Sequence, residues 1–137
     1  MSSYEEHMAR VGHNKALLDF FETHEGHSIF SDWYVTIAFY TAAQRVEALF
    51  FVVKPQIKGR VGTITVIEHS SGHRERSAII GRCFEKMHFA YTTLYGYSRI
   101  AKYRCYIPVS PNGKSAKVLL REIEDKCGKT TASDCGG

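Results

Sequence analysis

No Cys-x-x-Cys pair occurs in this 137-residue chain, and none of its four cysteines, Cys83, Cys105, Cys127 and Cys135, has histidine partners at zinc-finger spacing. A structural zinc site is therefore excluded, and the scattered cysteines read as free thiols. The first ten residues are polar and hold no apolar signal core, which together with reduced cysteines predicts a cytoplasmic protein. Long hydrophobic runs free of polar groups are lacking too. The longest apolar stretch, Trp33 to Val53, is interrupted by Thr36, Thr41, Gln44, Arg45 and Glu47, too many polar side chains for a lipid-facing helix, so no membrane partner is expected. Repeats and low-complexity tracts are absent. Charge of one sign is in small excess only: 18 Lys and Arg against 14 Asp and Glu leave a formal +4, a mild bias toward acidic partners such as RNA.

What is present is an ordinary globular composition, 44% hydrophobic and 23% charged, in a length that suits one domain. Residues 4 to 23 place Met8, Val11, Leu17, Leu18, Phe20 and Phe21 at roughly helical spacing, which predicts an amphipathic first helix ended by a loop around Gly26. Ser31 or Asp32 can cap a second helix from Trp33 to about Val53. That helix is apolar almost all round, as in the most buried helix of a bundle, and Pro55 stops it. Residues 54 to 71 hold two glycines and a β-branched run from Val61 to Ile67. A short strand pair fits this stretch, but an ordered loop is the favoured reading.

After a cap at Ser70 or Ser71, helical spacing resumes from Arg74 to Phe84 and again from Phe89 to Tyr103, with one helix or two left open. Lys114 to Lys126 gives a last helix ended by Gly128. The expected fold is all-α: an up-and-down bundle of four to five helices with a long ordered loop between helices 2 and 3. One domain spans residues 1–128, and 129–137 form a small, polar, disordered tail.

Three groups of residues carry chemical interest. On the second helix Asp32, Thr36, Tyr40, Gln44 and Glu47 are spaced by four, four, four and three, which puts a polar stripe on one face. Such a stripe on a buried helix needs partners, and an ionised Glu47 calls for an arginine or water beside it. At the loop-to-helix junction stand His69, His73, Arg74 and Arg76. Ser70, Ser71 and Gly72 break the helix between the two histidines and no third ligand is evident, so no metal and no cofactor is predicted. Between Tyr95 and Tyr106, aromatic rings alternate with Arg99, Lys102 and Arg104. That pattern can stack bases and hold phosphates, and can equally pack along a helix surface.

Asp32 to Ala48, His73 to Ile80 and Leu94 to Tyr103, in that order, resemble prokaryotic HEPN-domain proteins over roughly residues 28 to 125. The resemblance implies a helical bundle that forms a homodimer with a cleft at the interface. Many HEPN proteins are metal-independent ribonucleases of toxin–antitoxin and phage-defence systems, with an arginine followed five to seven positions later by a histidine. Such a pair can hold a phosphate and move the proton of an attacking 2′-hydroxyl.

Here Arg99 matches the arginine, but Arg104 stands where the histidine belongs, and a guanidinium cannot serve as a base. Gln44 likewise occupies a position where similar sequences carry histidine. Arg82 and His88 fit the spacing but fall a helix too early. His73, joined by Arg76 and Glu47, is the substitute base that the family topology suggests. The expected catalytic set is thus Arg99, Arg104 and His73, and the expected cleft is lined by Tyr40, Gln44, Glu47, Arg76, Tyr103 and Tyr106.

The favoured reading is a non-catalytic dimeric binding module for RNA, a nucleotide or a protein partner such as an antitoxin. The alternatives are a metal-independent endoribonuclease with an altered site and a helical scaffold that serves assembly alone.

Overall fold

The second helix is the axis of the fold. In the computed structural model, which describes residues 3–23, 31–58, 62, 64–67, 72–103 and 113–130, it packs against three of the other helices. Among the described residues the elements are α1 (Tyr4–Thr23), α2 (Ser31–Val53), β1 (Gln56–Lys58), β2 (Ile64–Val66), α3 (His73–Cys83), α4 (Glu85–Tyr103) and α5 (Gly113–Lys129). The protein is an all-α helical bundle, with one short hairpin in its longest connection.

Helix α1 starts where the sequence supplies a cap. The Ser3 hydroxyl accepts the Glu6 amide at 3.2 Å, and the acidic Glu5 and Glu6 sit in the first turn, where the helix dipole favours negative charge. Helix α2 buries Val35, Ala38, Ala42, Val46, Ala48 and Phe50 completely. Its buried threonines are satisfied locally: Thr36 donates to the Asp32 carbonyl at 2.8 Å and Thr41 to the Ile37 carbonyl at 2.7 Å.

One helix of this bundle, residues 32–53, is long and apolar enough to cross a membrane by composition, but its apolar faces are covered by α1, α4 and α5. It ends at Lys54, whose φ of 52° is left-handed and whose amide still reaches the Phe50 carbonyl, and Pro55 then prevents another turn.

The 54–71 connection differs from the favoured ordered loop. Gln56 pairs with Val66, Ile57 with Thr65 and Lys58 with Ile64 in an antiparallel ladder, extended by the Ile67 amide to the Pro55 carbonyl at 2.8 Å. The β-branched residues Ile64, Thr65 and Val66 explain the strand, and half-buried Ile57 and Ile67 dock the hairpin on the core.

Helices α3 and α4 are two, broken at Phe84. This residue leaves helical geometry (φ −136°, ψ 51°) and enters the core, where its ring stacks on Phe50 with centroids 5.9 Å apart. Two further boundaries correct the sequence reading. Gly72, not Ser70 or Ser71, caps α3, with no side-chain bond; its carbonyl accepts the Arg76 amide at 2.9 Å. Helix α5 runs through Gly128 to Lys129, because Cys127 is buried and carries the apolar stripe of Ala116, Leu120 and Ile123 one turn further. The segment predicted to be a disordered tail lies outside the described residues from position 131 onward.

Ion pairs Lys15–Glu124 (3.0 Å) and Lys117–Glu22 tie α1 to α5 at the surface, where each contributes about 1 kcal/mol or less. The cysteines are not all free thiols. Cys127 is free and buried, with burial pushing its thiol up to about 12, but Cys83 is disulfide-bonded to a residue outside the described set. The thiol argument for a reducing compartment therefore falls away.

Candidate functional site

Helices α2, α3 and α4 converge on a layered cluster of rings and charges. His73, the first residue of α3, lies flat on the Tyr95 ring, with centroids 3.4 Å apart and planes inclined by 13°. It is also stacked, more offset, beside Tyr91 at 5.6 Å. Phe39 of α2 meets all three rings: His73 at 5.8 Å, Tyr91 at 5.5 Å and Tyr95 at 5.3 Å. Tyr91 and Tyr95 are four residues apart, one turn of α4, so the helix presents them as neighbours. Arg99 follows one turn later. Its guanidinium donates to the Tyr95 hydroxyl at 3.1 Å and sits 5.9 Å from the ring centroid, within cation–π range.

Beneath the rings lies a buried ion pair. Arg76 Nε donates to Glu47 Oε1 at 2.8 Å, and Arg76 Nη1 donates to the Tyr91 hydroxyl at 3.1 Å. Glu47 is only 4% exposed, and its arginine partner helps to make a carboxylate tolerable there. Burial works against the charge on Arg76, but the Tyr91 hydroxyl and Glu47 hold its pKa above the ordinary value. Burial likewise raises Tyr91, partly offset by Arg76.

The Tyr91 hydroxyl is 3.1 Å from His73 Nδ1. Arg76 can only donate, so the hydroxyl accepts from it and keeps one proton of its own to give. Among the described residues the other partner of that hydroxyl is His73 Nδ1. A hydroxyl can accept twice, so His73 Nδ1 is either the acceptor of the Tyr91 proton, which leaves the imidazole proton on Nε2, or a second donor to the hydroxyl. Burial, then the charges of Arg76 and Arg99, lower the pKa of His73 below 6.5, which keeps the ring neutral at neutral pH.

The structure brings together His73, Arg76, Glu47, Arg99 and Tyr95, all named from sequence, and adds Phe39 and Tyr91, which sequence reading missed as site residues. The signal for Tyr91 was its one-turn spacing ahead of Tyr95 and Arg99; Phe39 was hidden in an apolar run. Tyr40 is 43% exposed on the outside of α2, its ring 6.0 Å from Phe39. Gln44 turns away, to α1, where its Oε1 lies 2.7 Å from His7 Nδ1. A four-residue repeat drifts about 40° per step on an α-helix, so the polar stripe becomes an arc shared between α1 and α3.

Arg104 and Tyr106 lie outside the described residues, as does His69. Tyr103 is the last residue of α4, with its side chain outside the described set. Arg82 and His88 meet nothing of this cluster: Arg82 is exposed at the end of α3, and the His88 ring covers Gly81 at 3.2 Å from where a Cβ would stand. Among the described residues no group of His, Cys, Asp and Glu is placed to hold a metal ion. No family model matches the chain, nor does any curated protein or solved structure.

Proposed function

We propose that the chain is a HEPN-type module that binds RNA through its phosphates and bases at the His73–Tyr95–Arg99 cluster, without cleaving it. The observation that supports this reading is the chain of contacts from Arg76 through Tyr91 to His73, whose ring lies on Tyr95 next to the Arg99 guanidinium bound to the same tyrosine. With Nδ1 accepting from Tyr91, the imidazole offers an Nε2–H, and this N–H and the Arg99 guanidinium are two donors suited to phosphate oxygens. The aromatic rings around them offer stacking partners for unpaired bases. A general base would need the opposite tautomer, with an outward lone pair, and Arg104 in place of the family histidine supplies none.

A metal-independent endoribonuclease is the second reading, favoured by the neutral ring of His73 within the field of Arg76 and Arg99. Incubating the protein with mixed RNA in EDTA separates the two. Intact RNA with salt-dependent binding, weakened about tenfold or more in Arg99→Ala, supports the binding module. Cleavage that disappears in His73→Ala replaces it with the nuclease, and no interaction with RNA removes both.

The homodimer belongs to the same proposal. Trp33 and Tyr40 stand two turns apart on one side of α2, 59% and 43% exposed, a pairing surface adjacent to the ring cluster. Light scattering at micromolar concentration checks it. A dimer mass that reverts to monomer in Trp33→Lys agrees with pairing through this side, whereas a monomeric wild type counts against it.

A further inference from the structure

The +4 excess of the chain is not spread evenly along it. Residues 72–103 hold Arg74, Arg76, Arg82, Lys86, Arg99 and Lys102 against Glu75 and Glu85, so the whole excess falls on the α3–α4 hairpin and the remainder of the chain is neutral. A basic excess confined to one element pair is the electrostatic footprint of a polyanion site. Arg76 is turned inward to Glu47, whereas Arg74, Arg82 and Arg99 are exposed.

The two helices run antiparallel along a seam pinned at both ends. His73 lies on Tyr95 at one end, and at the other the His88 ring stands 3.2 Å from where a Cβ on Gly81 would be. On α4, His88, Thr92, Tyr95 and Arg99 follow at spacings of four, three and four, which puts them in a row on one face. This row flanks the seam for about 16 Å. Glu85 continues it by one turn to the elbow and ends it with a negative charge. On α3 the solvent-facing ridge carries Arg74, Ala78 and Arg82, again four residues apart and all exposed. Two cations thus stand about 12 Å apart with only a methyl group between them on that line.

The hairpin therefore presents two neighbouring lines of different chemistry, cations on α3 and rings with a hydroxyl on α4. A single RNA strand is divided in the same way, with phosphates along one edge and unstacked bases free to meet side chains along the other. A duplex turns its bases inward.

We propose that the outer face of the α3–α4 hairpin is a track for single-stranded RNA, with phosphates on Arg74 and Arg82, bases along the row from Tyr95 to His88, and Arg99 at its head. The track lengthens the binding site at the His73–Tyr95–Arg99 cluster and rests on that reading. It also gives Arg82 and His88, whose spacing fits a nuclease motif, a binding role away from any catalytic one.

Fluorescence anisotropy of the full chain with a labelled single-stranded RNA of eight nucleotides tests the track. Arg82→Gln and His88→Ala are each expected to weaken binding several-fold, and Arg82→Gln to reduce the slope of log affinity against log salt by about 0.7, one phosphate contact. Arg121→Gln, which removes an exposed cation from α5, is expected to bind as wild type. Thermal unfolding shows whether each variant keeps its fold. Wild-type affinity in both Arg82→Gln and His88→Ala, with Arg99→Ala still weakened, would overturn the track and leave the cluster as the whole site. An equal loss in Arg121→Gln would overturn it in favour of diffuse attraction, and a blunt duplex bound as tightly as the single strand would overturn the choice of ligand. No binding of any RNA by the wild type would remove the track together with the reading it rests on.

Discussion

The imidazole of His73 and the phenol ring of Tyr95 lie nearly parallel, 13° apart with centroids at 3.4 Å, although 22 residues separate them in sequence. The histidine of this pair also feels the charges of Arg76 and Arg99. Burial first, then Arg76 and Arg99, hold its pKa below 6.5. A histidine with a lower pKa in the folded state binds protons more readily when unfolded. Its contribution to stability is therefore complete above pH 6.5 and is lost as pH falls through the lower folded value. Arg99→Ala removes one opposing charge, and the His73 midpoint in an NMR titration is expected to move up toward 6.5. An unmoved midpoint would mean that solvent already screens Arg99.

Breaking the Glu47–Arg76 pair from one side takes the ion-pair partner from a buried charge. Arg76→Met is expected to destabilise the fold by about 3 to 5 kcal/mol in urea unfolding, whereas Glu47→Leu combined with Arg76→Met recovers most of the loss. A double variant no more stable than the single one would show that packing of the arginine stem outweighs the charge.

Gln44 and His7 form a smaller case of the same logic. His7 is 8% exposed, and its Nε2 is the one buried side-chain nitrogen or oxygen among the described residues without a partner. Gln44→Leu would orphan Nδ1 as well, at a cost of about 1 to 3 kcal/mol. Adding His7→Phe removes both orphaned nitrogens, and the double variant is expected to regain much of that stability in the same unfolding assay.

Burial pushes the Cys127 thiol up to about 12, far above the pH at which thiol reagents act on an exposed cysteine. Native protein is expected to leave Cys127 unmodified at pH 8, with reaction appearing only on unfolding. Modification at native rates would show that the last turn of α5 opens readily.

The sequence reading found α1 and α2 nearly to the residue, because both carry a clear helical spacing and, in α2, a proline stop. It missed what depends on tertiary contact. The break at Phe84 exists because Phe50 offers a stacking partner, and nothing near Phe84 in the chain announces that. The hairpin was weighed and set aside, since Ile64, Thr65 and Val66 carry a β signal too short to decide alone. Glu47 was expected to need an arginine from burial alone, and Arg76 meets that need 29 residues away. Tyr91 went unnoticed because a tyrosine on an amphipathic helix is ordinary until its hydroxyl is seen between Arg76 and His73. The state of Cys83 was illegible, because spacing along the chain does not reveal which cysteines meet.

The single-residue elbow at Phe84 also bears on the order of assembly. It folds α3 back along α4, so the His73–Tyr91 bond closes a loop of only 18 residues. The entropy lost in joining chain ends grows with the logarithm of their separation, and nearby contacts form sooner than remote ones. The ring stack at the candidate site therefore belongs to a local α3–α4 hairpin that can pre-form, with Phe39 and Glu47 arriving afterwards on α2 to complete it.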